Sequence, residues 1–281
     1  MYDIKRGVSG DVKKVTFLLY LICGLLTVGV TFFVFLYILV KGEAYLSPSF
    51  ILDFPSGTPL GTAGGIFPAI VGSLLSGAVA AVCASFGATL LTVWAVFICK
   101  NRRLYEVFRF CTECASGIPS VLLGLFGYSI FLIHLDIHKS VLTAGMTLGI
   151  MIIPFITVRL EKMFREYPVD RIEAARALGI GDMHIVATLV IGTRKQEFFS
   201  AVALATAYAM GAAAPVMFTG AVLFTRRLPG LTDPFMSLPY HLYLLVSEGY
   251  SVSLAYGTAF VLIVMLLIVN CICRFALKRG K

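Results

Sequence analysis

PVDRIEAARALG, residues 168–179, is a polar stretch in a very apolar chain. It lies between two long hydrophobic runs. Arg159, Lys162 and Arg165 bracket it on one side, Arg194 and Lys195 on the other. Asp170 has the chemistry of an N-cap, because its carboxylate can accept the free amide hydrogens of a first turn. Glu173 stands three residues on, as in a capping box. Residues 171–178 contain no Gly or Pro and are rich in Ala and Arg, which favour helix. Gly179 tolerates the left-handed backbone that stops a helix. The spacing predicts a helix of about two turns, about 12 Å long. One so short is marginal alone in water, because nucleation is costly. A second surface must hold it, and Ala174, Ala175 and Ala177 leave it low enough for another backbone to approach. A docking helix fits this pattern, as does an ordinary capped helix in a surface loop.

The surroundings decide where such a helix sits. Of the 281 residues, 59% are hydrophobic and 14% charged, far from the soluble balance of about 45–50% and about 25%. Several apolar runs are long enough to cross a bilayer, which makes the chain an all-α polytopic membrane protein. The net charge of +8 does not indicate nucleic acid, because the basic residues stand at the ends of apolar runs and form no continuous face. Seven cysteines (23, 83, 99, 111, 114, 271 and 273) lie within or beside apolar runs, so a disulfide framework is not expected. Cys111 and Cys114 lack a second ligand pair, and His134, Asp136 and His138 share one short loop with no further ligand nearby. No metal site is expected from either group.

Six spans are expected, at 15–40, 65–99, 111–133, 141–158, 198–224 and 251–273. The first is too long for a signal-peptide core and is read as an uncleaved anchor. The second, at about 52 Å if straight, exceeds a hydrocarbon core of about 30 Å. An interfacial piece near 67–72 before the true span is therefore expected. Small residues recur along it every fourth position (Ser73, Gly77, Ala81, Ser85; Ser76, Ala80, Ala84, Ala88), which lets membrane helices pack closely. In the third span Gly117, Pro119 and Ser120 interrupt the helix, since Pro119 cannot donate to the Ala115 carbonyl. This is either a pore-lining break or a packing kink. Pro154 is placed to bend the fourth. The fifth has two small-residue stripes, and Pro215 frees the Gly211 carbonyl. Residues 41–64 and 226–250 form external loops.

Orientation comes from charge. With both termini inside, the inner segments hold 19 of the 23 Lys and Arg residues. So lopsided a split is a strong positive-inside signal. It gives a cytoplasmic segment 1–14, one membrane domain 15–273 with its main cytoplasmic loop at 159–197, and a cytoplasmic tail 274–281. The 168–179 helix is then cytoplasmic.

Glu173-Ala174-Ala175, three residues, then Gly179 resembles the EAA signature of ABC importer permeases. In that family the loop carries the coupling helix, which seats in a cleft of the ATPase subunit. From about residue 64 to 250 the chain is similar to the A-type permeases of the phosphate (Pst) importers. The motifs are 64–69 (GGIFPA), 117–120 (GIPS) with 124–127 (GLFG), 211–219 (GAAAPVMFT) and 236–243 (MSLPYHLY). The resemblance implies a six-helix type I importer permease in a bacterial-type cytoplasmic membrane. Its partners would be a second, homologous permease, two ATPase subunits and an extracytoplasmic binding protein, with no nucleic acid. It implies that Asp170, Glu173, Ala174, Ala175 and Gly179 couple to the ATPase. It also implies that Gly117, Pro119, Ser120, Thr206, Tyr208, Gly211, Ala212, Pro215 and Thr219 line the substrate path. ATP and magnesium would belong to the partner subunits, with no cofactor on this chain.

The chain departs from the family where charge matters. The family's Arg and Glu in the fifth helix are Tyr208 and Ala212 here. An oxyanion crossing a bilayer needs donors or positive charge. Three readings remain: the partner permease carries the anion site, the substrate is another oxyanion or small solute, or the subunit is a transport-silent scaffold or signalling component that keeps the ATPase dock. Tyr208, Thr206 and Thr219 are the hydroxyl donors available. The phosphate-loop pattern is absent, so the chain is not an ATPase by itself. Glu113 is the one charge inside an expected span, too little for a membrane enzyme.

Overall fold

A computed structural model describes the backbone of residues 10–58, 61 and 63–276, with side chains over 14–58, 61 and 63–272. Most of the expected cytoplasmic segments 1–14 and 274–281, and the Cys273 side chain, lie outside the described residues. In chain order the helices are α1 (Gly10–Glu43), α2 (Pro48–Leu52), α3 (Phe67–Val93), α4 (Arg102–Ser116), α5 (Ser120–Gly127), α6 (Val141–Arg165), α7 (Val169–Ala177), α8 (Asp182–His184), α9 (Lys195–Met210), α10 (Ala213–Thr219), α11 (Leu238–Ser247) and α12 (Val252–Ala276). π-helical turns prolong α3, α5 and α8, over Trp94–Ile98, Tyr128–His134 and Ile185–Ile191. A small antiparallel ribbon pairs β1 (Pro55–Ser56) with β2 (Ala63–Gly64).

Among the described residues, four helices are long and apolar enough to cross a membrane: α1, α3, α6 and α12. Two more spans are broken, α4/α5 by a 99° bend and α9/α10 by 69°. Counted as single spans, these give the six expected.

The centre of the bundle is the α3–α6 pair. Gly145 faces Val79, Gly149 faces Cys83, Gly87 faces Ile153, and Phe97 stacks edge-on against Phe164. The partners advance together along both chains, so the two helices run parallel. Ser76, Ala80, Ala84 and Ala88 are all buried, and this small-residue row lets the backbones close. A Cβ on Gly145 would lie 2.5 Å from the Val79 side chain. In lipid, where burial of apolar surface drives little, such close packing is the main source of helix association. α9 packs on both helices, with Ala201, Ala203, Ala205, Ala207 and Ala209 buried. α1 stands outside, meeting α12 through Tyr37 and Tyr256 at 5.9 Å. From Val15 to Val40 its other apolar side chains are exposed, apart from the half-buried Ile38, as suits a helix in contact with lipid.

Four expectations change. The second span is not preceded by a separate interfacial piece: α3 runs unbroken from Phe67. Its first turns are covered by protein, since Pro68, Ala69, Gly72 and Ser73 are buried and the Ser73 hydroxyl accepts the Leu238 amide hydrogen at 2.9 Å. The fourth span continues to Arg165, and Pro154 lies buried within α6 without ending it. The outer loop 226–250 contains a helix, α11. Most consequentially, the third span does not begin at 111. α4 starts at Arg102, where the Asn101 side chain accepts the Arg103 amide hydrogen at 3.0 Å. Along one edge it carries the ion pairs Arg102–Glu106 (2.9 Å) and Arg109–Glu113 (3.1 Å). Leu104, Val107 and Phe110 are exposed along another. Glu113 therefore sits on a polar edge, not within a span. Tyr105 donates to Glu161 near one end of α6, Phe108 packs on Trp94, and Gly127 meets Thr147 near the other end of α6. α4 thus crosses the end of the bundle, and an amphipathic helix so placed suits a membrane interface.

Candidate functional site

One end of the bundle is basic: Arg102, Arg103, Arg159, Lys162, Arg165, Arg194 and Lys195 meet there. α7 lies at this end. It begins at Val169 with Pro168 as N-cap, and no side chain caps it. Asp170 is therefore not the cap and makes no capping box with Glu173. It lies inside the first turn, where its charge still suits the helix dipole. The helix stops as expected. Gly179 adopts φ +78°, its amide donates to the Arg176 carbonyl at 2.9 Å, and the Ile180 amide reaches the Ala175 carbonyl at 3.1 Å. This paired closure is the Schellman motif, and it needs the left-handed residue.

α7 has two faces. Ile172 and Ala175 are buried in the main core with Ile185, Val186 and Val190. Asp170, Glu173, Ala174, Ala177, Leu178 and Gly179 are exposed. Ala175 thus anchors the helix instead of joining its outer surface. Arg176 pairs with Asp182 at 2.8 Å. Arg194 braces the loop from its far side, donating to the Glu166 carbonyl at 3.2 Å. It also lies 3.8 Å from the Glu166 carboxylate and 3.5 Å from that of Glu197. In the sequence Arg194 reads only as a flanking charge. A pairing across 28 residues leaves no local signature.

The path candidates separate into an exposed set and a buried set. Gly117 and Pro119 are exposed at the α4/α5 break, with Ser120 half-buried beside them. The Ala115 carbonyl there is not left free, since it accepts the Ile118 amide at 3.3 Å. Tyr208 is 56% exposed with its ring 5.1 Å from Phe155. Gly211 is exposed and Ala212 half-buried at the α9/α10 break. Thr206 is buried with its hydroxyl unpartnered. Pro215 is buried, and Thr219 is committed to structure. Its hydroxyl donates to the Pro215 carbonyl at 2.7 Å, and its own carbonyl accepts from the Thr143 hydroxyl at 2.8 Å. Thr219 is therefore not an available donor. The second halves of the two broken spans touch: Gly124 of α5 abuts Ala214, Pro215 and Phe218 of α10. Non-helical backbone at membrane depth persists only where protein buries it or a wet cavity meets it.

Comparison with known proteins agrees with this architecture. Residues 88–279 match the family described as binding-protein-dependent transport system inner membrane component. The chain is 27% identical over 222 residues to the phosphate transport system permease protein PstA of Xylella fastidiosa, covering 78% of this chain and 76% of that one. It is 24% identical over 277 residues to the probable ABC transporter permease protein YqgI of Bacillus subtilis, covering 90% and 91%. Its fold resembles a chain of the MetNI methionine ABC transporter in an inward-facing conformation, with a TM-score of 0.60, 18% identity, and 77% and 94% of the two chains covered. A chain of broken and unbroken membrane helices around a parallel pair, matched to this family over most of its length, belongs to the binding-protein-dependent transport system inner membrane components of ABC importers.

Proposed function

We propose that this subunit carries inorganic phosphate as half of the translocation path of an ATP-driven importer. A second, homologous permease completes the path, and an extracytoplasmic binding protein delivers the ion. Two ATPase subunits holding ATP and magnesium drive it, so the chain itself catalyses nothing. The basic end faces the cytoplasm, in line with the positive-inside bias, and both termini lie there. α7 presents Glu173, Ala174 and Gly179 to the ATPase. The observation that carries the reading is this helix: its inner face is fixed in the core by Ile172 and Ala175, while its outer face is bare. Motion imposed on it from outside must pass into the bundle. Phosphate is favoured over other solutes by the ordered motifs at 64–69, 117–127, 211–219 and 236–243, and by the phosphate permeases among the relatives.

Over its second half the exposed side of α9 carries Leu204 and Tyr208, followed by the capping Gly211, with no charge among them. The Tyr208 phenol is then the exposed hydroxyl donor along that face. The same lack of charge favours one second reading, a transport-silent subunit that keeps the ATPase dock. Phosphate uptake by the reconstituted complex tests both, comparing the native chain with Tyr208→Arg/Ala212→Glu. Uptake by the native chain supports the proposal. Uptake by the double variant alone means the native site serves another solute or none. Loss in both, with the ATPase bound, supports the silent reading.

A further inference from the structure

At the basic end, α6, α9 and α12 enclose an open groove of about 770 Å³. α9 forms its floor through Gln196, Ser200 and Leu204. α6 contributes Arg159 and Lys162, and α12 contributes Asn270. Two acids also reach it, Glu166 and Glu197. Both are already answered: Arg194 lies within 3.8 Å of each, and Lys162 is 3.8 Å from Glu166. Arg159 is different. Among the described residues it has no acid within salt-bridge distance, and it faces a cavity with polar side chains opposite. The groove is therefore locally positive at one point, although its two basic and two acidic lining residues balance.

Its position gives that charge a use. Ser200, Leu204 and Tyr208 are each one turn apart on α9, so the floor of the groove continues as the exposed stripe that reaches the α9/α10 break. Phe155, which touches Tyr208, is one turn from Arg159 on α6. The groove is thus the inner end of the same face. A guanidinium offers a planar fork of donors matched to phosphate oxygens. Basic pockets between helices on the cytoplasmic side of a membrane also suit phosphate head groups.

We propose that this groove binds a phosphate-type oxyanion, held by Arg159 with Gln196 and Ser200 as further donors. The ion is either free phosphate leaving the path or the head group of an anionic lipid. The free-phosphate case rests on the transport reading above; the lipid case does not.

The test is protection from labelling in the complete complex in nanodiscs. A Leu204→Cys variant, which adds a thiol to the groove wall without removing a proposed donor, is modified with a maleimide and read by peptide-resolved mass spectrometry, which separates it from the native cysteines. One arm adds inorganic phosphate to phosphatidylcholine discs, against chloride at equal ionic strength. A second uses phosphatidylglycerol discs without phosphate. Protection by phosphate identifies the free ion, and protection in the second arm identifies the lipid. In either case, Arg159→Gln weakens protection about tenfold, as expected for losing a charge-assisted bond, and Arg159→Lys restores part of it. The proposal is overturned if neither arm protects, if Arg159→Gln protects equally, or if the site is unreactive in every disc because a partner subunit covers it. The readout needs no transport, so failed uptake with intact protection would overturn the functional reading and leave this one standing.

Discussion

The guanidinium carbon of Arg194 lies 5.9 Å from the centre of the Tyr167 ring, joining the segment before α7 to the segment that leads into α9. Tyr167 is itself buried, so Arg194 holds the polar loop shut against a fixed surface. Arg194→Gln removes the cation–π contact and both weak ion pairs, a loss of about 1 kcal/mol. Amide exchange across 166–194 is expected to quicken about fivefold, with α3 and α6 unchanged. An unaltered exchange rate in the loop would show that the brace carries no load.

Gly179 and Glu173 separate shape from contact. No atom lies within 4 Å of a Cβ at Gly179, so the constraint there is not space but φ +78°, which strains most side chains. A left-handed residue other than Gly costs about 1–2 kcal/mol. Gly179→Val is expected to fray the end of α7, whereas Gly179→Asn is tolerated. Glu173→Ala removes an exposed carboxylate and should leave stability within about 0.5 kcal/mol. Both Gly179→Val and Glu173→Ala are expected to reduce binding-protein-stimulated ATP hydrolysis while the complex still copurifies. Normal coupling in both would remove α7 from the ATPase contact.

Close packing of α3 on α6 predicts an asymmetry between two glycines. Gly145→Ala drives a methyl to 2.5 Å from Val79 and 3.1 Å from the Ser76 carbonyl. Overpacking of this kind costs about 1–3 kcal/mol. Gly117→Ala meets nothing closer than 3.5 Å and should leave the melting temperature in detergent almost unchanged. Equal melting of both variants would contradict the α3–α6 register.

His241, on α11 outside the spans, is buried beside Phe224 with its Nδ1 unpartnered. Burial pushes its pKa down from 6.5 to about 4. The folded state therefore favours the neutral ring. Below the unfolded value the unfolded chain takes up a proton that the folded chain refuses. Stability is thus full above pH 6.5 and is lost as pH falls toward about 4, by on the order of 3 kcal/mol at most. Thermal unfolding across this window should show the loss, and His241→Leu should flatten it.

The spans were legible because apolar runs of about twenty residues and a lopsided basic count are global signals. So was the α7 stop, since Gly179 is the residue a left-handed turn selects. The start of α7 was not: Asp170 and Glu173 satisfy a capping pattern, yet Pro168 sets the boundary earlier by fixing its own backbone. α4 was misread because its apolar edge continues into α5 without a change in composition. Only the depth markers Tyr105, Phe108 and Gly127 reveal the turn. Thr219 looked like a free hydroxyl, yet that hydroxyl is taken up by the Pro215 carbonyl one turn back, and its own carbonyl is held by Thr143, 76 residues away.

The packing of α5 on α10 has a mechanical result. Each is the second half of a broken span, and each would swing about its own hinge, at 117–119 or at 211–212. Because Gly124 lies directly on Pro215, neither half can rotate far without carrying the other. The two halves are therefore expected to move as one unit if either moves, and stiffening one break should hold both.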